Sequence, residues 1–343
     1  MTLATCLVLI HTGFRLPWQP DADYFMVTRS WPVGSSWDSS ILWVVVPERI
    51  GLTAPVAWNV TWSGLALATV IIIAWRAAVL IPRVTRRHFL LTILASGVPL
   101  LLASRLGFYD IPFLFGVVLV ALLPSRWWLI GVVVVAGSNA EMGLVAGLCA
   151  LLVGLSFGER FVLVRSLTTV IASFVPLVIL TATQALSGGL PSGSRIALLQ
   201  TNAVSAFTSN LAWLPLLIST LYLGAWIIVL LIITSSPGSL DRVYLVTGLV
   251  GVPLAFSLLT LDGTRVAVAT ASLGFLFATR MWFSTSTRVE FLAKDPTVAS
   301  LGAIALVVLA LLPPAVSVFV PMPWEGFFPP WESWYQLVQI TAG

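Results

Sequence analysis

IPFLFGVVLVALLPSRWWLIGVVVVAGSN, residues 111–139, decides how often this chain crosses a membrane. The stretch is either one long apolar span interrupted by Pro124-Ser-Arg-Trp-Trp128, or two short spans that turn there. The choice reverses the side of everything downstream, so the later basic residues discriminate between them. Lys and Arg in short loops mark the cytoplasmic side of a membrane protein. With two spans, the loops around Arg160 and Arg165, around Arg242 and from Arg280 to Lys294 share a side with the cluster Arg76, Arg83, Arg86, Arg87 and His88. With one span they all fall opposite it. Two short spans are therefore expected.

The rest of the composition agrees with lipid as solvent. Of 343 residues, 59% are hydrophobic and 9% charged, beyond the range of a soluble globular domain. The apolar runs are continuous and of helix length, whereas a transmembrane barrel would alternate polarity in segments of about ten residues. The fold class expected is all-α: one polytopic transmembrane helical bundle over 1–343, with about eleven helices and a cytoplasmic N-terminus. Residues 2–14 form a short apolar run without a basic n-region or a small-residue cleavage site, and read as a retained first helix. A first outer loop follows at about 15–52; its apolar patch Ile41 to Val46 is too short to span and suits an interfacial helix. Further helices are expected at 53–75, 89–104, 142–157 and 161–185. A surface segment, 196–207, precedes a long helix at 207–234 that Pro215 would kink. The last helices are expected at 243–261, 265–282 and 298–320, ahead of an interfacial tail at 321–343 anchored by Trp324, Phe327, Phe328, Trp331, Trp334 and Tyr335.

The basic residues divide accordingly. Arg76, Arg83, Arg86, Arg87, Arg126, Arg160, Arg165, Arg242, Arg280, Arg288 and Lys294 fall inside, and Arg15, Arg29, Arg49, Arg105, Arg195 and Arg265 outside. The net charge of +4 follows from loops that face an anionic inner leaflet, so nucleic acid is not implied as a partner. Cys6 and Cys149 lie in apolar segments at no metal or disulfide spacing and read as small apolar residues. His11 reads as a hydrogen-bonded packing residue. The location expected is integral to a membrane, multi-pass, in a bacterial plasma membrane.

The same topology collects Asp21, Asp23, Asp110, Glu141 and Asp262 on the outer face, with Arg105, Arg195 and Arg265. Ionisable groups at membrane depth are costly unless they face a cavity or one another, which makes them functional candidates. A carboxylate can take the proton of an incoming hydroxyl. A guanidinium can hold a phosphate in its fork and stabilise the charge that develops there. Each residue also has a plain reading. Asp21 and Asp23 suit a solvated turn after Pro20, and Asp110, before Ile111-Pro112, suits a helix N-cap. Asp262 and Arg265 suit a local cap or ion pair. Arg105 suits a snorkelling anchor, Arg195 an ordinary loop charge and Glu141 a solvated turn. Asp21-Ala-Asp23 offers oxygen ligands for a divalent cation, a pattern also common by chance. No other cofactor is indicated.

In placement, the chain resembles the GT-C superfamily of polytopic glycosyltransferases. The features shared are a first helix entering from inside, a long outer loop with Pro20-Asp21-Ala-Asp23-Tyr24-Phe25, and an acid, Asp110, at a helix start in the second outer loop. The resemblance covers about the first 160 residues. It implies a polyprenyl-phosphate sugar donor, a lipid, glycan or protein acceptor, and catalysis on the outer face. It also implies Asp23 or Asp21 as base, Asp110 in the site, and Arg105 with Arg195 or Arg265 on the phosphate. A transporter or flippase for a lipid-linked substrate, or an envelope polymerase, is the alternative. Transport would call for charges near the midplane and repeated halves, and neither is visible in the sequence.

Overall fold

Lipid offers no hydrogen bonds, so backbone polar groups in a membrane must be paired within the chain. The computed structural model describes Leu42, Val46 and residues 49–52, 55–104, 110–186, 195–212, 214–260 and 263–285, and all regular structure among them is helical. In chain order the helices are α1 (Pro55–Leu80), α2 (Arg83–Leu94), α3 (Gly97–Ser104), α4 (Asp110–Leu122), α5 (Trp128–Ser138), α6 (Ala140–Phe157) and α7 (Arg160–Leu186). There follow α8 (Arg195–Ala212), α9 (Leu214–Tyr222), α10 (Trp226–Thr234), α11 (Ser239–Val246), α12 (Val252–Leu258) and α13 (Gly263–Ser284). A 3-10 turn, Leu223–Ala225, joins α9 to α10, and a π-helical turn, Thr247–Gly251, joins α11 to α12. Six described segments are long and apolar enough to cross a membrane: Val60–Leu80, Ala140–Phe157, Arg160–Ile179, Leu217–Thr234, Ser239–Leu258 and Arg265–Ser284. The chain is a multi-pass membrane protein.

The stretch 111–139 turns as expected, giving α4 and α5. The turn exposes Pro124, Ser125, Arg126 and Trp127, with Ser125 at φ 54°. The two helices meet backbone to backbone: a Cβ at Gly131 would lie 2.6 Å from the carbonyl oxygen of Gly116. Small residues permit this approach, and close backbone packing is what holds helices together where lipid is as apolar as leucine. At 1.5 Å per residue α4 and α5 are about 20 and 17 Å long, short of a hydrocarbon core of about 30 Å. A hairpin returns the chain to the side it left whatever depth it reaches, so the parity of the later helices is that of two spans.

Helix α13 is the core. Of its span, 83% is buried, and it packs against α2, α3, α4, α6, α9 and α12. Its Phe275, Phe277 and Phe283 are fully enclosed; Phe275 meets the Tyr222 ring at 5.1 Å and Phe283 meets Phe89 at 6.1 Å. The outer wall is α1 and α7, which leave Val60, Leu67, Val70 and Ile71, and Leu167, Ile171, Val175 and Val178, exposed to the lipid.

Several boundaries differ from those expected. Helix α1 runs past Arg76 to Leu80, because the Arg76 side chain bonds a backbone carbonyl of another helix and does not need a loop. The basic cluster belongs to α2, and Arg86 folds back to donate to the carbonyls of Ala77, Ala78 and Ile81 at the end of α1. The helix expected at 89–104 is broken at Ala95–Ser96. The long helix expected at 207–234 is interrupted by the 3-10 turn between α9 and α10, while residue 213, between α8 and α9, lies outside the described residues. The span expected at 243–261 begins at Ser239 and contains the π turn. In the patch 41–46, Leu42 and Val46 are helical, and the Ile50 N–H donates to the Val46 carbonyl at 3.0 Å. The helices expected at 2–14 and 298–320, the tail at 321–343 and most of the loop at 15–52 lie outside the described residues.

Candidate functional site

One end of the bundle assembles around the first residue of α4. Asp110 is fully buried, and its Oδ2 lies 3.5 Å from Nη1 of Arg265 in the first turn of α13. A carboxylate at a helix N-terminus is favoured by the backbone dipole, whereas a cation at one is not. Asp110, across 155 residues of sequence, is a described partner that offsets this cost for Arg265. Asp262, the local partner suggested by the spacing, lies outside the described residues.

The approach to Arg265 is fixed by Asn210, near the end of α8. Its side chain is 1% exposed and donates to the carbonyls of Ser257, Leu258 and Thr260 at 3.1, 3.2 and 2.7 Å. These are last-turn carbonyls of α12 and its exit, so Asn210 adds a side-chain cap to the backbone N–H groups of Leu259 and Thr260, which donate to Phe256 and Ser257. A Cβ at Gly263 would lie 3.0 Å from Oδ1 of the same side chain, so the start of α13 packs tightly against Asn210. Sequence reasoning passed over Asn210. The signal was a lone amide in an apolar segment, Ser209-Asn210-Leu211, where a buried amide needs partners.

The α4–α5 hairpin brings a second strand of the chain to this level. Gly116 faces Gly131, so six residues outward from each, Asp110 is level with Gly137. Against Gly137 lies the side chain of Leu42, from the 15–52 stretch. Asn139 then caps α6, accepting from the Met142 N–H at 3.0 Å, and Glu141 follows half-exposed in the first turn. Asp110, Arg265, Glu141 and Leu42 thus belong to one end of the molecule. Arg195 opens α8, and about 22 Å of helix separates it from Asn210 at 1.5 Å per residue. The Arg195 side chain, like that of Arg105, lies outside what is described. Asp21, Asp23 and Arg105 lie outside the described residues. Among those described, no group of three or more His, Cys, Asp or Glu side chains could hold a metal ion.

Chemically, a buried carboxylate paired with a guanidinium at a helix-rich end offers a fixed acceptor and a fixed cation at one depth. That arrangement suits an anionic group and a hydroxyl brought together at a membrane surface. No family model, curated protein or solved structure matches the chain.

Proposed function

We propose that this protein is a membrane glycosyltransferase, of the GT-C kind, that moves a sugar from a polyprenyl-phosphate donor to a lipid, glycan or protein acceptor on the outer face of a bacterial plasma membrane. The observation that carries the reading is the buried Asp110–Arg265 pair, at the end opposite the arginine-rich one. In the reaction the acceptor oxygen bonds the anomeric carbon while the bond from that carbon to the phosphate oxygen breaks. The phosphate leaves with the bonding electrons, and a carboxylate receives the acceptor's proton. Asp23 is the base in this reading, with Asp21 and Asp110 positioning the acceptor, or a divalent cation at Asp21 and Asp23. Arg265, with Arg105, meets the charge growing on the phosphate. Leu42, in the same 15–52 stretch of sequence as Asp21 and Asp23, lies against Gly137 and supports the reading further.

A second reading, a flippase for a lipid-linked substrate, draws on the interrupted helices. Breaks at Ala95–Ser96, Leu223–Ala225 and Thr247–Gly251 are of the kind that lines transport paths. The experiment is transfer of labelled sugar from a panel of polyprenyl-phosphate sugars in membranes holding wild type, Asp23→Asn or Asp110→Asn, with and without chelator. Transfer by the wild type that is lost in a folded Asp23→Asn protein is the expected result. No transfer from any donor, with labelled donor crossing sealed vesicles that hold the protein, would replace the enzyme by the flippase.

A further inference from the structure

Three arginines from three helices converge on the last carbonyls of α4. Arg76 Nε donates to the Leu122 oxygen at 2.9 Å, Arg165 Nη1 to that of Val120 at 2.7 Å, and Arg280 Nη1 to that of Ala121 at 2.6 Å. A helix C-terminus carries orphan carbonyls and about half an elementary negative charge, enough to account for one cation. Three are present. Arg165 is close enough to Arg76 and Arg280 to be repelled by both, and Glu159 is the carboxylate within electrostatic reach of Arg280. None of the three forms an ion pair with a described carboxylate.

The cluster is also held in place. Arg165 lies over the rings of Trp128 and Phe161 at 5.5 and 5.6 Å, Arg280 over Phe161 at 4.6 Å, and Arg76 over Trp75 at 5.1 Å. Arg76 and Arg165 are 5% and 8% exposed, so most of their hydration is gone. Each guanidinium has five N–H donors, and one of them engages α4. Around the cluster the exposed side chains of Arg83, Arg87, Arg126 and Arg160 add positive potential. Three desolvated cations with one carboxylate, Glu159, in reach are unfavourable until an anion joins them.

We propose that Arg76, Arg165 and Arg280 form a binding site for a phosphate-bearing anion at the arginine-rich end, which the distribution of basic residues puts inside. Guanidinium forks match the tetrahedral oxygens of phosphate and keep their charge at any physiological pH. The phosphate comes from an anionic lipid headgroup of the adjacent leaflet or from free phosphate. This site is distinct from the Asp110–Arg265 end, and the α4 helix separates the two by about 18 Å at 1.5 Å per residue.

The test follows thermal unfolding of the full chain in phosphatidylcholine nanodiscs. One arm titrates inorganic phosphate and pyrophosphate; the other replaces part of the lipid with phosphatidic acid. A saturable rise of the midpoint is expected, in the first arm for a soluble ligand and in the second alone for a headgroup. Arg280→Gln weakens the apparent affinity about tenfold or more, Arg280→Lys, which keeps charge and loses the fork, weakens it less, and Arg49→Gln, before the start of α1, leaves it unchanged. The double variant Asp110→Asn/Arg265→Gln keeps the rise, which separates this site from the catalytic reading. No rise of the wild type in either arm, a rise undiminished in both Arg280 variants, or a rise lost in the Asp110/Arg265 double variant would each overturn the proposal.

Discussion

Arg265 stands in the first turn of α13, the helix end least suited to a cation, and Asp110 is buried at the end of α4 best suited to an acid. Each is tolerable because of the other. Arg265→Gln alone leaves a carboxylate enclosed without its cation and is expected to cost about 3–5 kcal/mol, whereas Asp110→Asn/Arg265→Gln together cost far less. Unfolding in matched detergent micelles checks this, and equal losses in the single and double variants would mean the pair is not coupled. Asn210→Ala removes the amide donor from the Leu258 and Thr260 carbonyls, while Ser257 keeps the Thr260 N–H and hydroxyl, and is expected to cost about 1–3 kcal/mol in the same assay. Asp110 was legible as a site candidate from its place before Ile111-Pro112. Its partner was not, because Arg265 has a nearer acid in sequence, Asp262, and only folding brings α4 beside α13.

At the scale of elements, the helix breaks satisfy one another. The Ala225 N–H donates to the Ala95 carbonyl at 3.3 Å, joining the 3-10 turn to the break after α2. The Tyr222 hydroxyl, 1% exposed, donates to the Leu249 carbonyl in the π turn at 2.7 Å. Non-helical backbone at membrane depth persists only where protein pairs it. Tyr222→Phe is therefore expected to cost about 1–3 kcal/mol and to speed amide exchange in both 220–226 and 247–251, by hydrogen–deuterium exchange. A loss confined to one segment would contradict the link. Gly131→Ala pushes a methyl into the Gly116 carbonyl and should cost about 1–3 kcal/mol with the α4–α5 hairpin loosened. The hairpin was readable because Pro124-Ser-Arg-Trp-Trp128 puts a helix breaker and a charge amid apolar residues. The breaks in the other helices were not, since Ala95-Ser96 and Leu223-Gly224-Ala225 look in sequence like ordinary apolar helix.

For the whole molecule, the helices sort their charges into two ends. Arg76, Arg165 and Arg280 come from segments far apart in sequence, yet all meet the C-terminus of α4, while Asp110 and Arg265 meet at its N-terminus. This polarity was legible from the count of basic residues alone. Their carbonyl partners were not, because a charge inside an apolar run reads as the end of the run, as it did at Arg76. Both proposed sites depend on the polarity, and sided labelling tests it most directly. In a cysteine-free background, Ser125→Cys at the exposed hairpin turn and Leu186→Cys at the far end of α7 are treated in intact cells with a membrane-impermeant maleimide. The account predicts that Leu186→Cys reacts at once and Ser125→Cys reacts only after the membrane is opened. Labelling of Ser125→Cys in intact cells, with Leu186→Cys protected, would invert the molecule and remove the outer-face site.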